Sequence, residues 1–171
     1  MLKAQDILVL LKLAHQEPDW TFEGVAAELY LSPSTVHRSI NRCRGAGLYE
    51  KAQKAVNRAA LLEFLAHGAK YVFPPVWGGE ARGIPTAWGA PPLSDRLSSS
   101  QENVPVWPYA RGRARGLALK PLHPTVPRAA TKDRQLFEAL ALFDAIRIGT
   151  ARERALAVKE LERRLGATIL A

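Results

Sequence analysis

The side chains best suited to chemistry lie in residues 31–49, LSPSTVHRSINRCRGAGLY, where hydrogen-bonding groups gather on one side of a predicted helix. These groups are Ser34, Thr35, His37, Arg38, Asn41 and Arg42. Arginine can bond guanine O6 and N7 together, asparagine can pair with adenine, and hydroxyl groups can hold phosphates. The polar face is therefore suited to contacting DNA, although arginine and asparagine are also common on solvated helix surfaces.

The helix that positions these groups has clear start and stop signals. Ser32 is a suitable N-cap, Pro33 occupies the first helical position, and Gly45 or Gly47 can adopt the left-handed conformation that ends a helix. Its opposite face is apolar: Val36, Ile40 and Cys43. A preceding helix, predicted for residues 22–29, and the short turn between the two complete a helix-turn-helix pattern.

Residues 25–50, VAAELYLSPSTVHRSINRCRGAGLYE, resemble the recognition segment of winged helix-turn-helix transcription regulators of the MarR and AsnC kind. The shared features are an alanine-rich second helix, a Leu-Ser turn, Ser-Thr-Val opening the recognition helix, a following Arg, and Gly-Leu entering the wing. The resemblance covers about residues 3–52. It implies that helix 33–44 reads the major groove and that Ser34 and Thr35 contact phosphate. The side chains that it places in the groove are His37, Arg38, Asn41 and Arg42.

The wing is where the sequence departs from that family. A wing is a β-hairpin with a polar or glycine-rich tip, whereas LYEKAQKAVNRAALLEF, starting at Leu48, passes into a helix within a few residues. We therefore expect a reduced or missing wing. Lys51, Lys54 and Arg58 are candidates for contacting the DNA backbone from this position, or they are solvated surface charges.

Residues 69–131 carry most of the net positive charge. They hold eight basic and three acidic side chains, a net charge of +5 out of +8 for the chain. Basic domains often bind nucleic acid, because neutralising phosphates releases counterions. Prolines and aromatic residues are also concentrated here. They predict short strands, which we place at 70–76 and 82–87 around a GGE turn, and at 104–109 and 116–120 around ARGRARG. The polar stretch 98–103 predicts a surface loop.

Two features of this region have more than one interpretation. The turn RGRARG, with Arg111, Arg113 and Arg115, either contacts phosphates or a minor groove or is simply solvated. The aromatic side chains either stack on bases, as in single-strand and RNA binding, or form the core of a small β unit, which is the commoner arrangement. They are Trp77, Trp88, Trp107 and Tyr109.

Residues 132–171 predict a helical hairpin. The segments 135–148 and 151–165 both carry apolar side chains at helical spacing. Gly149 ends the first helix and Thr150 is placed to cap the second. The apolar faces must be buried against the rest of the chain or against a second subunit.

The sequence offers little support for catalysis, for a metal or for a cofactor. The four histidines are scattered, one cysteine allows neither a disulfide framework nor a zinc motif, and no phosphate-binding glycine loop is present. The apolar run at residues 7–11 is too short to cross a membrane and is followed by Lys12. We therefore expect a cytoplasmic protein that is not an enzyme, binds no cofactor or metal and does not enter a membrane.

Together these features predict a mainly α fold with a small β-containing middle region. The expected domains are a reduced-wing helix-turn-helix at 1–68, a basic Pro/Trp-rich β-hairpin region at 69–131 and a C-terminal helical hairpin at 132–171. The predicted function is that of a prokaryotic, sequence-specific regulator of transcription that binds double-stranded DNA as a homodimer. Its two subunits are expected to meet through the first helix, the C-terminal helical hairpin, or both. The alternatives are an antitoxin-like or accessory module that binds a partner protein through its middle and C-terminal regions, and an RNA-binding accessory factor.

Overall fold

The computed structural model describes residues 1–97 and 103–169, so the predicted loop at 98–103 lies almost wholly outside the described residues. The fold is mixed, with helices and a small three-stranded sheet. The helices are α1 (Ala4–Leu13), α2 (Phe22–Leu29), α3 (Pro33–Gly45), α4 (Arg58–Glu63), α5 (Ala69–Val72), α6 (Val126–Ala130), α7 (Arg134–Ile148) and α8 (Ala151–Leu165). The strands are β1 (Tyr49–Glu50), β2 (Ala55–Val56), β3 (Trp77–Pro85), β4 (Pro105–Pro108) and β5 (Ala114–Leu119). None of the described helices is long and apolar enough to cross a membrane.

Helix α1 lies at the centre of the core. Every side chain from Asp6 to Leu13 is buried, including the two charged ones. A helix that is apolar on nearly all sides belongs inside a protein, and α1 packs against α2, α3 and α7. This helix therefore serves the core of its own chain. It leaves no exposed apolar side chain between residues 6 and 13 for the subunit contact considered from the sequence.

Helices α2 and α3 begin where their capping residues predict. The Thr21 hydroxyl accepts a hydrogen bond from the Gly24 N–H at 3.0 Å, and the Ser32 hydroxyl accepts one from the Thr35 N–H at 3.1 Å. Gly47 adopts the left-handed conformation just beyond α3, with φ of 74°. Because the apolar face of α3 is buried against α1 and α2, its opposite face is held outward.

The hairpin that was expected to be reduced or missing is present but short. Strands β1 and β2 pair antiparallel over two residues each, with Tyr49 opposite Val56 and Glu50 opposite Ala55. The tip is formed by residues 51–54. The Asn57 side chain then accepts a hydrogen bond from the Ala60 N–H at 3.1 Å and starts α4.

Strands β3, β4 and β5 close into a small barrel. Strand β3 pairs antiparallel with both of the others, which pair with each other in parallel. So few strands can close only if their backbones come very near one another. A Cβ atom on Gly83 would lie 2.0 Å from the Trp107 carbonyl oxygen, and one on Gly116 would lie 2.0 Å from that of Val104. Glycine is therefore required at both positions.

Two strands are present near the positions predicted around ARGRARG, although β5 begins at Ala114, inside that stretch. The predicted β-hairpins are wrong, because β4 and β5 pair in parallel and GGE is not a turn. Residues 70–72 belong to α5, and β3 runs without a turn from Trp77 to Pro85. The paired glycines instead allow a shift of register between Trp77 and Glu80 in the pairing with β5. Glycines inside a strand often mark such a bulge rather than a reversal of the chain.

The predicted helical hairpin is present. The Asp133 side chain caps α7 by accepting from the Leu136 N–H at 3.0 Å. Thr150 and Glu153 cap α8 reciprocally, at 3.3 and 2.8 Å. The apolar faces of both helices are covered mainly within the chain, because α7 packs against α1, α5, α6 and the turn at residues 87–89, while α8 packs against α4 and α7. The hairpin therefore has little apolar surface left for a second subunit.

A buried carboxylate anchors the barrel to α7. Asp144 is 2% exposed. Its Oδ2 accepts hydrogen bonds from Thr86 Oγ1 and Trp107 Nε1, both at 2.7 Å. Its Oδ1 accepts from Arg147, whose Nη2 lies 2.6 Å away and whose Nη1 donates to the Phe73 carbonyl at 3.1 Å. The carboxylate thereby joins three separate parts of the chain.

We expect Asp144→Asn to destabilise the protein strongly. The amide nitrogen of asparagine would face hydrogen-bond donors that now meet a carboxylate oxygen of Asp144. Buried Arg147 would also lose its counter-charge. Breaking a buried pair in this way costs about 3–5 kcal/mol. Urea unfolding measures the loss, with Asp19→Asn at an exposed site as the control. Equal free energies of unfolding for the two variants would contradict this role of Asp144.

Candidate nucleic-acid interface

The exposed face of α3 carries most of the predicted contact residues. Ser34, His37, Arg38 and Asn41 are exposed, and Thr35 is half-buried. The sequence reading missed Arg44, which is also exposed and extends this face into the last turn. Arg44 follows Asn41 by three residues, a spacing that puts both on the same face of a helix, so the sequence could have predicted it. No acidic residue occurs anywhere in α3.

Local contacts order the side chains on this face. The Ser32 hydroxyl lies 2.8 Å from that of Thr35, and an Arg38 Nη2 lies 3.5 Å from the same Thr35 oxygen. The Asn41 amide nitrogen lies 3.2 Å from His37 Nδ1. Arginine has five N–H donors and asparagine has two donors and an acceptor. Both side chains therefore keep hydrogen-bonding groups for a ligand.

Arg42 is placed differently from the sequence expectation. Its Nε donates to Asp6 Oδ2 at 2.8 Å and its Nη2 donates to Asp6 Oδ1 at 2.6 Å. Asp6 is completely buried in α1, and its Oδ2 also accepts from the Lys3 N–H at 2.8 Å. A buried carboxylate needs such a partner. Arg42 thus fastens α3 to α1 instead of extending outward with Arg38.

The β1–β2 hairpin and the start of α4 carry the other basic residues that were predicted to contact the DNA backbone. Lys51 is exposed at the hairpin tip. Lys54 donates to the Trp20 carbonyl at 3.2 Å and lies 4.9 Å from the centre of the Trp20 ring. Arg58 donates to the Ala14 carbonyl at 3.0 Å, just beyond the end of α1. Lys54 and Arg58 therefore have structural contacts of their own, although both remain exposed.

The turn between β4 and β5 forms a separate basic surface, which we call the arginine turn. Arg111, Arg113 and Arg115 are all exposed there. The pairing of β3 with β5 sets Arg82 directly opposite Arg115, which sequence reading missed because it depends on strand register. Like charges facing each other across a ladder are destabilising. Among residues 1–97 and 103–169, no carboxylate forms an ion pair with any of the four.

The aromatic candidates do not form one stacking surface. Trp107 is 1% exposed and bonded to Asp144, so it belongs to the core. Trp88 and Tyr109 are half-buried. Trp77 is 43% exposed and follows the exposed Val76 in the chain. The core interpretation therefore holds for Trp107, while Trp77 is on the surface.

The structure places no cluster of metal-ligand side chains in its described part. No group of three histidine, cysteine, aspartate or glutamate residues there is arranged to hold a metal ion. Cys43 is completely buried on the inner face of α3. Burial raises the pKa of its thiol to about 12, so the reactive thiolate is scarce near neutral pH.

Comparison of the chain with protein-family models, with curated proteins and with solved structures found no match.

Two arginines one turn apart on α3 give a direct test of this geometry. Arg42→Ala leaves Asp6 buried without its partner, so we expect it to lower the free energy of unfolding by roughly 3 kcal/mol. Arg38→Ala removes an exposed side chain and should change it by no more than about 0.5 kcal/mol. Urea denaturation measures both variants. If Arg42→Ala were as stable as Arg38→Ala, the ion pair would not be what holds α3 on α1.

Proposed function

We propose that the protein binds double-stranded DNA sequence-specifically and regulates transcription, with the exposed face of α3 in the major groove. The observation that carries this proposal is the arrangement of α3 itself. One face is buried against α1 and α2. The other presents side chains of types suited to bases and phosphates, and it carries no carboxylate. The resemblance of residues 25–50 to winged helix-turn-helix regulators supports the same assignment.

The side chains on this face are suited to two kinds of contact, with base edges and with phosphates. A helix fits the major groove, with the residues near its amino end closest to the base edges. Arg38 is suited to guanine and Asn41 to adenine, while Ser34, through its hydroxyl and its backbone N–H, is suited to a phosphate. Arg42 acts as a positioning residue through Asp6 and is not assigned to the groove.

We propose that the β1–β2 hairpin and the arginine turn contact the DNA backbone. Lys51, at the exposed tip of the hairpin, follows α3 closely in the chain and is suited to a neighbouring phosphate. The three guanidinium groups of the arginine turn and that of Arg82 in β3 repel one another, and an anionic ligand would relieve this repulsion. Arginine is well matched to phosphate because its planar fork can make two parallel hydrogen bonds.

The first test is selection of genomic DNA fragments with purified protein at low and at physiological salt. We expect the wild-type protein to recover a shared site that persists at physiological salt. The double substitution Arg38→Ala with Asn41→Ala should reduce discrimination by roughly 1–3 kcal/mol for each base that is no longer read. Arg152→Ala is the control, since it also removes an exposed arginine but lies on α8, outside the proposed DNA-reading helix.

If the double variant selected the same site with unchanged affinity, α3 would not be the reading element. Fragments bound only at low salt and lacking a common site would mean that charge alone attracts DNA. Either result would overturn the proposed function.

A second candidate function, protein interaction, is favoured by a specific surface. Tyr71, Val72, Val76 and Trp77, which we call the apolar patch, lie close together in the chain and are 74, 51, 53 and 43% exposed. Exposed apolar residues that form a patch commonly mark an interaction site. We assign this patch to a second copy of the chain, because regulators that read palindromes are dimers and because α1 and the helical hairpin are covered within the chain.

We expect the wild-type protein to sediment as a dimer and Tyr71→Ser with Trp77→Ser to sediment as a monomer. The substitutions remove apolar area from the exposed patch and leave the buried core intact. Tyr109→Ser, at a half-buried aromatic residue outside the patch, is the control and should remain dimeric. A dimer that survives the double substitution would place the subunit contact elsewhere. A monomeric wild-type protein would leave the patch to a different partner protein.

A further inference from the structure

Tyr30 occupies an unusual position at the entrance to α3. It forms the C-cap of α2 in the left-handed conformation, with φ of 54° and ψ of 42°. A bulky residue rarely adopts this conformation. Only Leu31 separates Tyr30 from Ser32, the N-cap of α3, so the two Cα atoms are within about 7 Å of each other. Whatever binds at Tyr30 is therefore close to the amino end of α3.

Two cations from a distant part of the chain meet at the Tyr30 ring. The guanidinium carbon of Arg128, in α6, lies 3.9 Å from the ring centre. The ammonium of Lys132, just after α6, lies 5.4 Å from it. The ammonium of Lys132, and after it the guanidinium of Arg128, lowers the pKa of the Tyr30 hydroxyl by favouring its charged form. Arg128 and Lys132 are exposed to solvent.

The nearby carboxylates are already engaged by another cation. Glu28 and Asp133 line the same cleft of about 630 Å³ as Tyr30 and Lys132. The buried ammonium of Lys12 bonds Asp133 Oδ2 at 2.6 Å and also pairs with Glu28. In the described parts of the chain, neither Arg128 nor Lys132 forms an ion pair. Two exposed cations and a hydroxyl thus converge with their donors available to an anion.

We propose that Tyr30, Arg128 and Lys132 bind a backbone phosphate of the DNA that α3 reads. This inference rests on the proposed function of α3. The phosphate accepts hydrogen bonds from the guanidinium, the ammonium and the phenol, a combination suited to its several oxygens. Helix α6 then belongs to the nucleic-acid surface through its contact with α2. Arg128 is also one of the positive charges of residues 69–131, and the fold brings it to the beginning of α3.

Binding of labelled duplexes, measured by fluorescence anisotropy over a range of salt concentrations, tests the site. The test variant is Arg128→Gln with Lys132→Gln, and the matched control is Arg152→Gln with Lys159→Gln on α8, which also removes one exposed arginine and one exposed lysine. The duplexes are the selected site and an unrelated sequence. The slope of log K against log salt should become shallower by about 0.9, because one phosphate is no longer neutralised.

A phosphate contact carries no sequence information, so the affinity should drop by the same factor for both duplexes. Tyr30→Phe should lower affinity in the same uniform way. A test variant with the same slope and affinity as its control would overturn the inference. So would binding of inorganic phosphate, without DNA, that the test variant loses while its DNA salt slope is unchanged, since the site would then serve free phosphate.

The inference and the function on which it rests fail in distinguishable ways. If Arg38→Ala with Asn41→Ala abolishes site selection while the Arg128 and Lys132 variant behaves as its control, only the phosphate site is wrong. If the wild-type protein shows no salt-resistant site at all, the proposed function fails and the inference fails with it. Loss of affinity for the selected duplex alone would also contradict a phosphate contact, because it would indicate base reading.

Discussion

The structure depends on burying α1 on every side although the helix carries two charges. Isolated charges cannot be buried cheaply, so each must find a partner from an element that packs on α1. Asp6 takes Arg42 of α3, and Lys12 takes Glu28 of α2 and Asp133 at the start of α7. The charges of one central helix thereby set the placement of the proposed DNA-reading helix and of the C-terminal hairpin.

Because Asp6 needs a cationic partner, the proposed DNA-reading face of α3 lacks Arg42, which the sequence had placed on the polar face of this helix. Arg42 is used inward, and α3 is held by an ion pair at one end of its buried face as well as by Val36, Ile40 and Cys43. Groups that read bases must be held in place by a rigid element, because small displacements break bidentate hydrogen bonds. The inward arginine and the outward Arg38 therefore have complementary roles in the proposed function.

Features specified by short stretches of sequence could be predicted, and features that depend on distant pairing could not. The caps at Ser32 and Thr150 act within four residues, and they gave the starts of α3 and α8 correctly. The glycines of GGE looked like a turn because their bulge exists only in the pairing of β3 with β5. The partner of Arg42 lies 36 residues away, and Asp144 accepts a hydrogen bond from Thr86, 58 positions away.

The most direct measurement of the central claim is the change in backbone amide chemical shifts when isotope-labelled protein binds the selected duplex at physiological salt. We predict the largest changes in residues 32–44, with smaller ones at the hairpin tip and none within the core of α7. Large changes confined to the arginine turn, with α3 unaffected, would contradict the assignment of α3 as the DNA-reading element.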